Sequence, residues 1–221
     1  ILSYTWELNV APAVIKKELV LTNKTAVPLG CILKTEAPFN LTSFDVVLEP
    51  EETVVIGVEF DPLYRDDKTS LIIEKAITVS YRGHTQHDSI KVIGEVNFPN
   101  LKFENTTINF GCILNETEKK IKCSITNCSK VVCSYNWIFM ENDLPNKPVK
   151  GKKKLDLGGP LPVSIPPNQS FDIMPIRSVL HPGESEDVEF VLYGSSNAKF
   201  NCFAICEVEG GPEYKLSLLG E

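Results

Sequence analysis

Three histidines and seven cysteines are the side chains of this 221-residue chain best suited to metal ligation or nucleophilic work. His84-x-x-His87-Asp88 and Cys202-x-x-x-Cys206 have spacings a metal could bridge, but structural zinc needs four closed ligands and neither cluster has a second pair nearby. His84 and His87 fall in a polar, hairpin-like stretch away from any nucleophile signature, and His181 occupies a turn position. Gly-x-Ser-x-Gly, a phosphate loop and Gly-x-Gly-x-x-Gly are all missing. Gly210-Gly211-Pro212 reads as a turn between strands, and the pairs Glu51-Glu52 and Asp66-Asp67 lie in polar loops where solvation is the default. The expectation is no catalysis, no metal centre and no cofactor.

The cysteines allow a second reading. Cys123, Trp137 fourteen residues later, and Cys202 or Cys206 imitate the Cys…Trp…Cys signature of extracellular immunoglobulin domains. Alternation places Ile121, Cys123 and Ile125 on one face, and Phe200, Cys202, Ala204, Cys206 and Val208 on another, so a bridge is geometrically conceivable. Against it, the first half has Leu19 and Leu21 where the early cysteine should be, and seven is an odd number. Reduced cysteine is a good small core residue, and a chain of this length does not need staples; the reading is packed thiols in a reducing compartment. Six Asn-x-Ser/Thr sequons begin at Asn23, Asn40, Asn105, Asn115, Asn127 and Asn168. They would be glycan acceptors on a secreted protein. Asn23 and Asn127 instead fit strand ends, where the amide satisfies a turn backbone and tolerates a left-handed conformation.

Two features suit contact with another protein. Lys147, Lys150, Lys152, Lys153 and Lys154 form a basic run in an acidic chain. Such a run is either a solvated face or an electrostatic contact with an acidic partner such as a tubulin tail, which would weaken steeply with salt. Phe203 and Ile205 lie on the outer face of a strand whose core face is already apolar, exposed for a partner or a neighbouring module unless an insert covers them.

The elements that must position these residues are short. Val54, Ile56, Val58 and Phe60 alternate with polar or small residues, as do Val188, Phe190 and Leu192. A period of two marks a half-buried strand. Residues 71–77 suit either a helical turn or strands at 71–73 and 77–81. Many short strands with turn signals every 8–12 residues predict an all-β sandwich. The composition, 43% apolar and 23% charged with net charge −7, is ordinary for a globular protein. The acidic balance argues against nucleic acid as the main partner, and no window reaches the ~18 apolar residues of a membrane helix. The chain opens on Ile1, not Met, and reads as a piece of a longer protein.

An internal repeat organises it. Ile-Thr-Asn-Cys-Ser at 125–129 matches Leu-Thr-Asn-Lys-Thr at 21–25, an offset of 104 that also lays Phe110, Cys112 and Leu114 on Trp6, Leu8 and Val10. Val-Leu-His-Pro at 179–182 matches Val-Leu-Glu-Pro at 47–50, an offset of 132 that keeps Val188, Phe190 and Leu192 on Ile56, Val58 and Phe60. Both copies close alike, with Ile-Gly-Glu at 93–95 and Leu-Gly-Glu at 219–221. The growing offset implies an insert at about 141–170, which holds six prolines, three glycines, the lysine run and no aromatic residue, and is expected to be a mobile loop. Two tandem units follow, 1–97 and 98–221, with net charges of −5 and −2. Pro182-Gly183 suits the centre of a type II turn. Gly94 and Gly220 suit a close backbone approach or a bulge.

The order strand, Thr-Asn-x-Ser/Thr, strand, Leu-x-Pro-Gly/Glu-Glu, alternating strand and apolar-x-Gly-Glu resembles the Ig-like domains shared by ciliary, centrosomal and major sperm proteins, the ASPM–SPD-2–Hydin group. Ile108-Asn109-Phe110-Gly111, Phe171-Asp172-Ile173-Met174-Pro175, His181-Pro182-Gly183-Glu184 and Gly210-Gly211-Pro212-Glu213-Tyr214 carry the likeness in the second unit, and Val58-Glu59-Phe60-Asp61-Pro62 carries it in the first. The first unit departs from the pattern: its leading strand is expected to be truncated, and Glu51 stands after Pro50 in place of glycine. The resemblance implies two tandem immunoglobulin-like antiparallel β-sandwiches, forming a scaffold segment of a large protein of the central pair apparatus in motile cilia. Implied partners are axonemal proteins, tubulin and adjacent Ig-like modules, without nucleic acid or membrane. The implied location is the cytoplasm, cytoskeleton and ciliary axoneme. The alternative is an extracellular adhesion or receptor fragment, separated by disulfide and glycan status.

Overall fold

The computed structural model describes residues 1–140, 167–195 and 199–221. It divides into two compact units, Ile1–Phe98 and Pro99–Glu221. Each is an immunoglobulin-like pair of β-sheets, as the alternation predicts.

In the first unit, β1 (Leu2–Thr5), β2 (Ile15–Thr22), β3 (Leu29–Lys34), β4 (Phe39–Leu41), β5 (Asp45–Leu48), β6 (Thr53–Phe60), β7 (Leu71–Tyr81) and β8 (His87–Asn97) form two sheets. Their orders are β1-β8-β7-β3-β5 and β2-β6-β4. The pairing of β1 with β8 is parallel and the others are antiparallel. Ile56, Val58 and Phe60 all point inward from β6, and Phe60 stacks on Phe39 at 5.2 Å between ring centroids. Residues 71–81 form one continuous strand; the helical alternative fails because Ile77 and Val79 are buried at a spacing of two.

In the second unit, β9 (Leu101–Phe103), β10 (Thr107–Asn109), β11 (Glu118–Asn127), β12 (Cys133–Met140), a short helix α1 (Pro167–Ser170), β13 (Phe171–Met174), β14 (Arg177–Leu180), β15 (Ser185–Tyr193), β16 (Phe200–Val208) and β17 (Glu213–Gly220) follow. Their sheets run β10-β17-β16-β12-β14 and β13-β15-β11-β9. The core centres on Trp137, whose ring meets Phe190 edge-on at 5.3 Å and Phe103 at 6.0 Å.

Strand pairing tests the repeat residue by residue. Leu48 and Leu180 occupy the same place opposite Leu29 and Cys133, so the offsets of 104 before the insert and 132 after it hold. The extra residues lie between β12 and β13, where the first unit has only residues 35–38. The offset of 104 fails before β11. Leu2 pairs with Gly94 and Asn109 with Leu219, so Phe110 corresponds to Leu2, not Trp6. The first unit carries four additional residues between β1 and β2, which leave Leu8 and Val10 exposed. Shifts of 104 and 108 both preserve a period of two, so alternation alone could not separate them.

The two matching Asn motifs build the same junction. Asn127 Nδ2 donates to the carbonyls of Val131 (2.7 Å) and Leu180 (2.9 Å), while Oδ1 accepts from the amide and hydroxyl of Ser129. Asn23 does likewise with Val27, Leu48 and Thr25. Neither asparagine adopts a positive φ, contrary to the sequence expectation; the turn residues Glu51 (φ 62°) and Gly183 (φ 78°) do so instead. Each turn closes with an i to i+3 bond, Glu52 N–H to Glu49 O and Glu184 N–H to His181 O. Gly94 and Gly220 make room for side chains, not backbone: an added Cβ would lie 2.6 Å from the Phe60 ring and 2.4 Å from Leu192 Cδ2.

Candidate interaction surface

The residues with chemical potential are scattered or occupied. His84 Nδ1 accepts the Gln86 amide within the β7–β8 turn, and Asp88 accepts the Tyr81 hydroxyl. That bond, followed by burial and the charge of Asp88, pushes the Tyr81 phenol up to about 12. Glu52 takes the Glu49 amide, Asp67 takes the Thr69 amide, and Glu51 faces Lys24 in an exposed pair. No group of three or more His, Cys, Asp or Glu able to hold a metal occurs among the described residues. A groove on the outer face of the first unit is lined by Lys34, Glu36, Thr78, Ser80 and His87 among others, with Ser80 directly opposite His87 across β7 and β8.

All seven cysteines are free, and Cys31, Cys123, Cys133, Cys202 and Cys206 are buried. Burial raises the Cys202 thiol to about 11 and the Cys206 thiol, mainly by the same cause, to about 12. These groups stay protonated and pack as small apolar side chains. Of the sequon asparagines, Asn23 and Asn127 are fully enclosed with their amides engaged, while Asn40, Asn105 and Asn115 are exposed.

The apolar surface on β16 is the one sequence-predicted feature that the described strands assemble. Phe203 pairs with Met140 and Ile205 with Ile138 across the β12–β16 ladder, all on the outer face of the five-stranded sheet. On the other flank, Lys215 pairs with Ile205, and its ammonium lies 3.6 Å from the Phe203 ring centroid. That placement fits a cation–π contact of roughly 0.5–1 kcal/mol. The expected exposure needs correcting: Ile205 is only 6% exposed and Phe203 is half-buried. Flanking strands on both sides place the more accessible apolar surface at Ile138 (40%) and Met140 (47%). These two were legible in β12, where Trp137 and Phe139 take one face and leave an apolar second face. In the first unit the corresponding positions are Lys34, Glu36, Thr78 and Ala76, so the same sheet face is polar there. Lys147, Lys150, Lys152, Lys153 and Lys154 lie outside the described residues.

No family model matches the chain. It is 26% identical to the human hydrocephalus-inducing protein homolog over 92% of its own length, and 26% identical to the mouse hydrocephalus-inducing protein over 93%. It spans only 6% of the length of either relative. Among solved structures, the ASH/PapD-like domain 7 of human CEP192 aligns with 56% of this chain and 85% of its own, at 12% identity and a TM-score of 0.41. A protein of unknown function from Porphyromonas gingivalis W83 aligns with 95% of this chain and 91% of its own, at 9% identity and a TM-score of 0.39. Sequence similarity across nine-tenths of the two units makes the chain a distant relative of the hydrocephalus-inducing proteins.

Proposed function

We propose that this chain is a non-catalytic scaffold segment of a large axonemal protein of motile cilia, acting through protein contacts at the central pair apparatus. The observation that carries the reading is the similarity to hydrocephalus-inducing proteins along nearly the whole chain. The interior supports it: thiols, asparagines and aromatics are spent on core packing and on the two Asn–turn junctions, so work is left to surfaces. The apolar outer face formed by Ile138, Met140 and Phe203 is the contact surface of the second unit. The lysine run at 147–154 adds an electrostatic contact with acidic axonemal partners, tubulin tails included. Co-sedimentation with salt-washed axonemes tests the reading. Ile138→Asp, at a partly exposed position, should leave folding intact and weaken binding at least about tenfold, as expected when a charge enters an apolar contact. Deleting residues 147–154 should flatten the salt dependence. A folded Ile138→Asp variant that binds like the parent would remove the surface from the account, and absence of any axoneme binding would remove the reading itself.

A further inference from the structure

Two thiols of the second unit converge on one backbone oxygen. Cys128 is the first residue after β11, and Cys133 opens β12 on the far side of the turn. Cys128 Sγ donates to Asn100 O at 3.4 Å, and Cys133 Sγ lies 3.7 Å from the same oxygen. The turn between them is held in shape: Asn127 Nδ2 grips Val131 O, and Ser129 Oγ stands 3.6 Å from Cys133 Sγ. The shared acceptor is fixed as well, because Asn100 is only 6% exposed and the next amide, Leu101 N–H, donates to the Tyr214 hydroxyl at 3.0 Å.

The two sulfurs differ in access. Cys128 is exposed, whereas Cys133 is fully enclosed. Burial pushes the Cys133 thiol up, with hydrogen bonds to Ser129 and Asn100 working the other way. A reagent from solvent therefore meets Cys128 first, and Cys133 is placed to react with what forms there. The remaining thiols of this unit are engaged elsewhere. Cys112 Sγ donates to the Glu221 carboxylate and Cys123 Sγ to Asn105 O, while Cys206 stands opposite Trp137, two pleats along β12 from Cys133. In the first unit the two positions are Lys24 and Leu29, so the fold itself does not require the pair.

We infer that Cys128 and Cys133 form a peroxide-responsive dithiol that closes into a reversible disulfide across the β11–β12 turn. The Cys128 thiolate attacks the O–O bond of hydrogen peroxide, keeps one oxygen as a sulfenic acid and releases hydroxide, which takes up the proton that Cys128 lost. The Cys133 sulfur then attacks the Cys128 sulfur. The S–S bond forms as the S–O bond breaks, and the departing hydroxide carries off the Cys133 proton as water. Two thiols thus lose two electrons and two protons, and one peroxide becomes two waters. A dithiol reductant restores both thiols through a mixed disulfide, so in a reducing compartment the bridge is transient. Closure draws both sulfurs off Asn100 O and leaves that carbonyl its Cys128 N–H bond at 3.1 Å. Oxidation exchanges two sulfur contacts at the head of the second unit for one covalent link within the turn.

The test treats the whole native chain with hydrogen peroxide, blocks the remaining thiols with iodoacetamide in denaturant, and reads unreduced tryptic peptides by mass spectrometry. Cleavage after Lys130 separates the two cysteines, so the bridge appears as peptide 123–130 joined to the peptide that begins at Val131. Fragmentation distinguishes Cys128 from Cys123 within the first of these. The joined pair should form in the monomer and vanish when dithiothreitol is added. Dimedone, which traps sulfenic acid, supplies the second readout. Cys133→Ala should raise trapping at Cys128 at least about tenfold over the parent chain, because the resolving thiol is gone. A parent chain in which Cys128 stays free or stops at sulfenic acid would overturn the inference without recourse to the variant. So would Cys128 linked only between two chains, or Cys133 linked to Cys206.

Discussion

Replacing Asn127 by alanine removes four hydrogen bonds from a site that is 0% exposed. Two are donated to the carbonyls of Val131 and Leu180, and two are accepted from Ser129. Each is worth about 0.5–1.5 kcal/mol net, and an orphaned buried carbonyl costs about 1–3 kcal/mol more. Water entering at the part-buried Val131 side recovers part of this, so the expected loss is about 3–5 kcal/mol, a large share of a typical 5–15 kcal/mol stability. Urea unfolding followed by tryptophan fluorescence reads it, because the chain has two tryptophans, Trp6 in one unit and Trp137 in the other. Asn127→Ala should move the Trp137 transition, and Asn23→Ala should move the Trp6 transition by a similar amount. A loss below about 1 kcal/mol at Asn127 would refute the assignment of this amide as the lock between β11, β14 and the turn that follows it.

Gly183→Ala should destabilise the second unit by about 1–2 kcal/mol in the same urea assay, since its φ of 78° strains an L-residue although the space around it is open. The converse change, Glu51→Gly, should stabilise the first unit by up to about 1 kcal/mol, because the lost Lys24 pair is highly exposed and worth little; opposite signs would dismiss the turn argument. The folded protein holds the protons of Cys202, Cys206 and Tyr81 to higher pH than the unfolded chain does. Stability should therefore be intact below about pH 9 and fall between about 9 and 12; a flat profile from pH 8 to 11 would contradict the shifts. Native alkylation with iodoacetamide should reach only Cys112 and Cys128 quickly, and all seven thiols in denaturant; rapid labelling of Cys202 or Cys206 would show an open core.

The sequence made the strands and core faces readable because a period of two survives in nearly every element. Phe200, Cys202, Ala204, Cys206 and Val208 share the inner face of β16 as alternation requires. Register was harder. Shifts of 104 and 108 are alike in parity, and only the parallel pairing of β1 with β8 separates Trp6 from Leu2 as the partner of Phe110. Asn23 and Asn127 were visible as turn residues, but a sequon does not reveal that the amide reaches across to Leu48 or Leu180. The apolar surface was legible from alternation: Phe203 and Ile205 stand out beside inward cysteines, and Ile138 and Met140 take the face of β12 that Trp137 and Phe139 leave.

The most direct test of the scaffold account is quantitative mass spectrometry of fractionated ciliated cells. Peptides of this chain should be recovered with the detergent-insoluble axoneme, with Asn40, Asn105 and Asn115 unmodified. Recovery in the secreted or membrane glycoprotein fraction, with glycans on those asparagines, would contradict it.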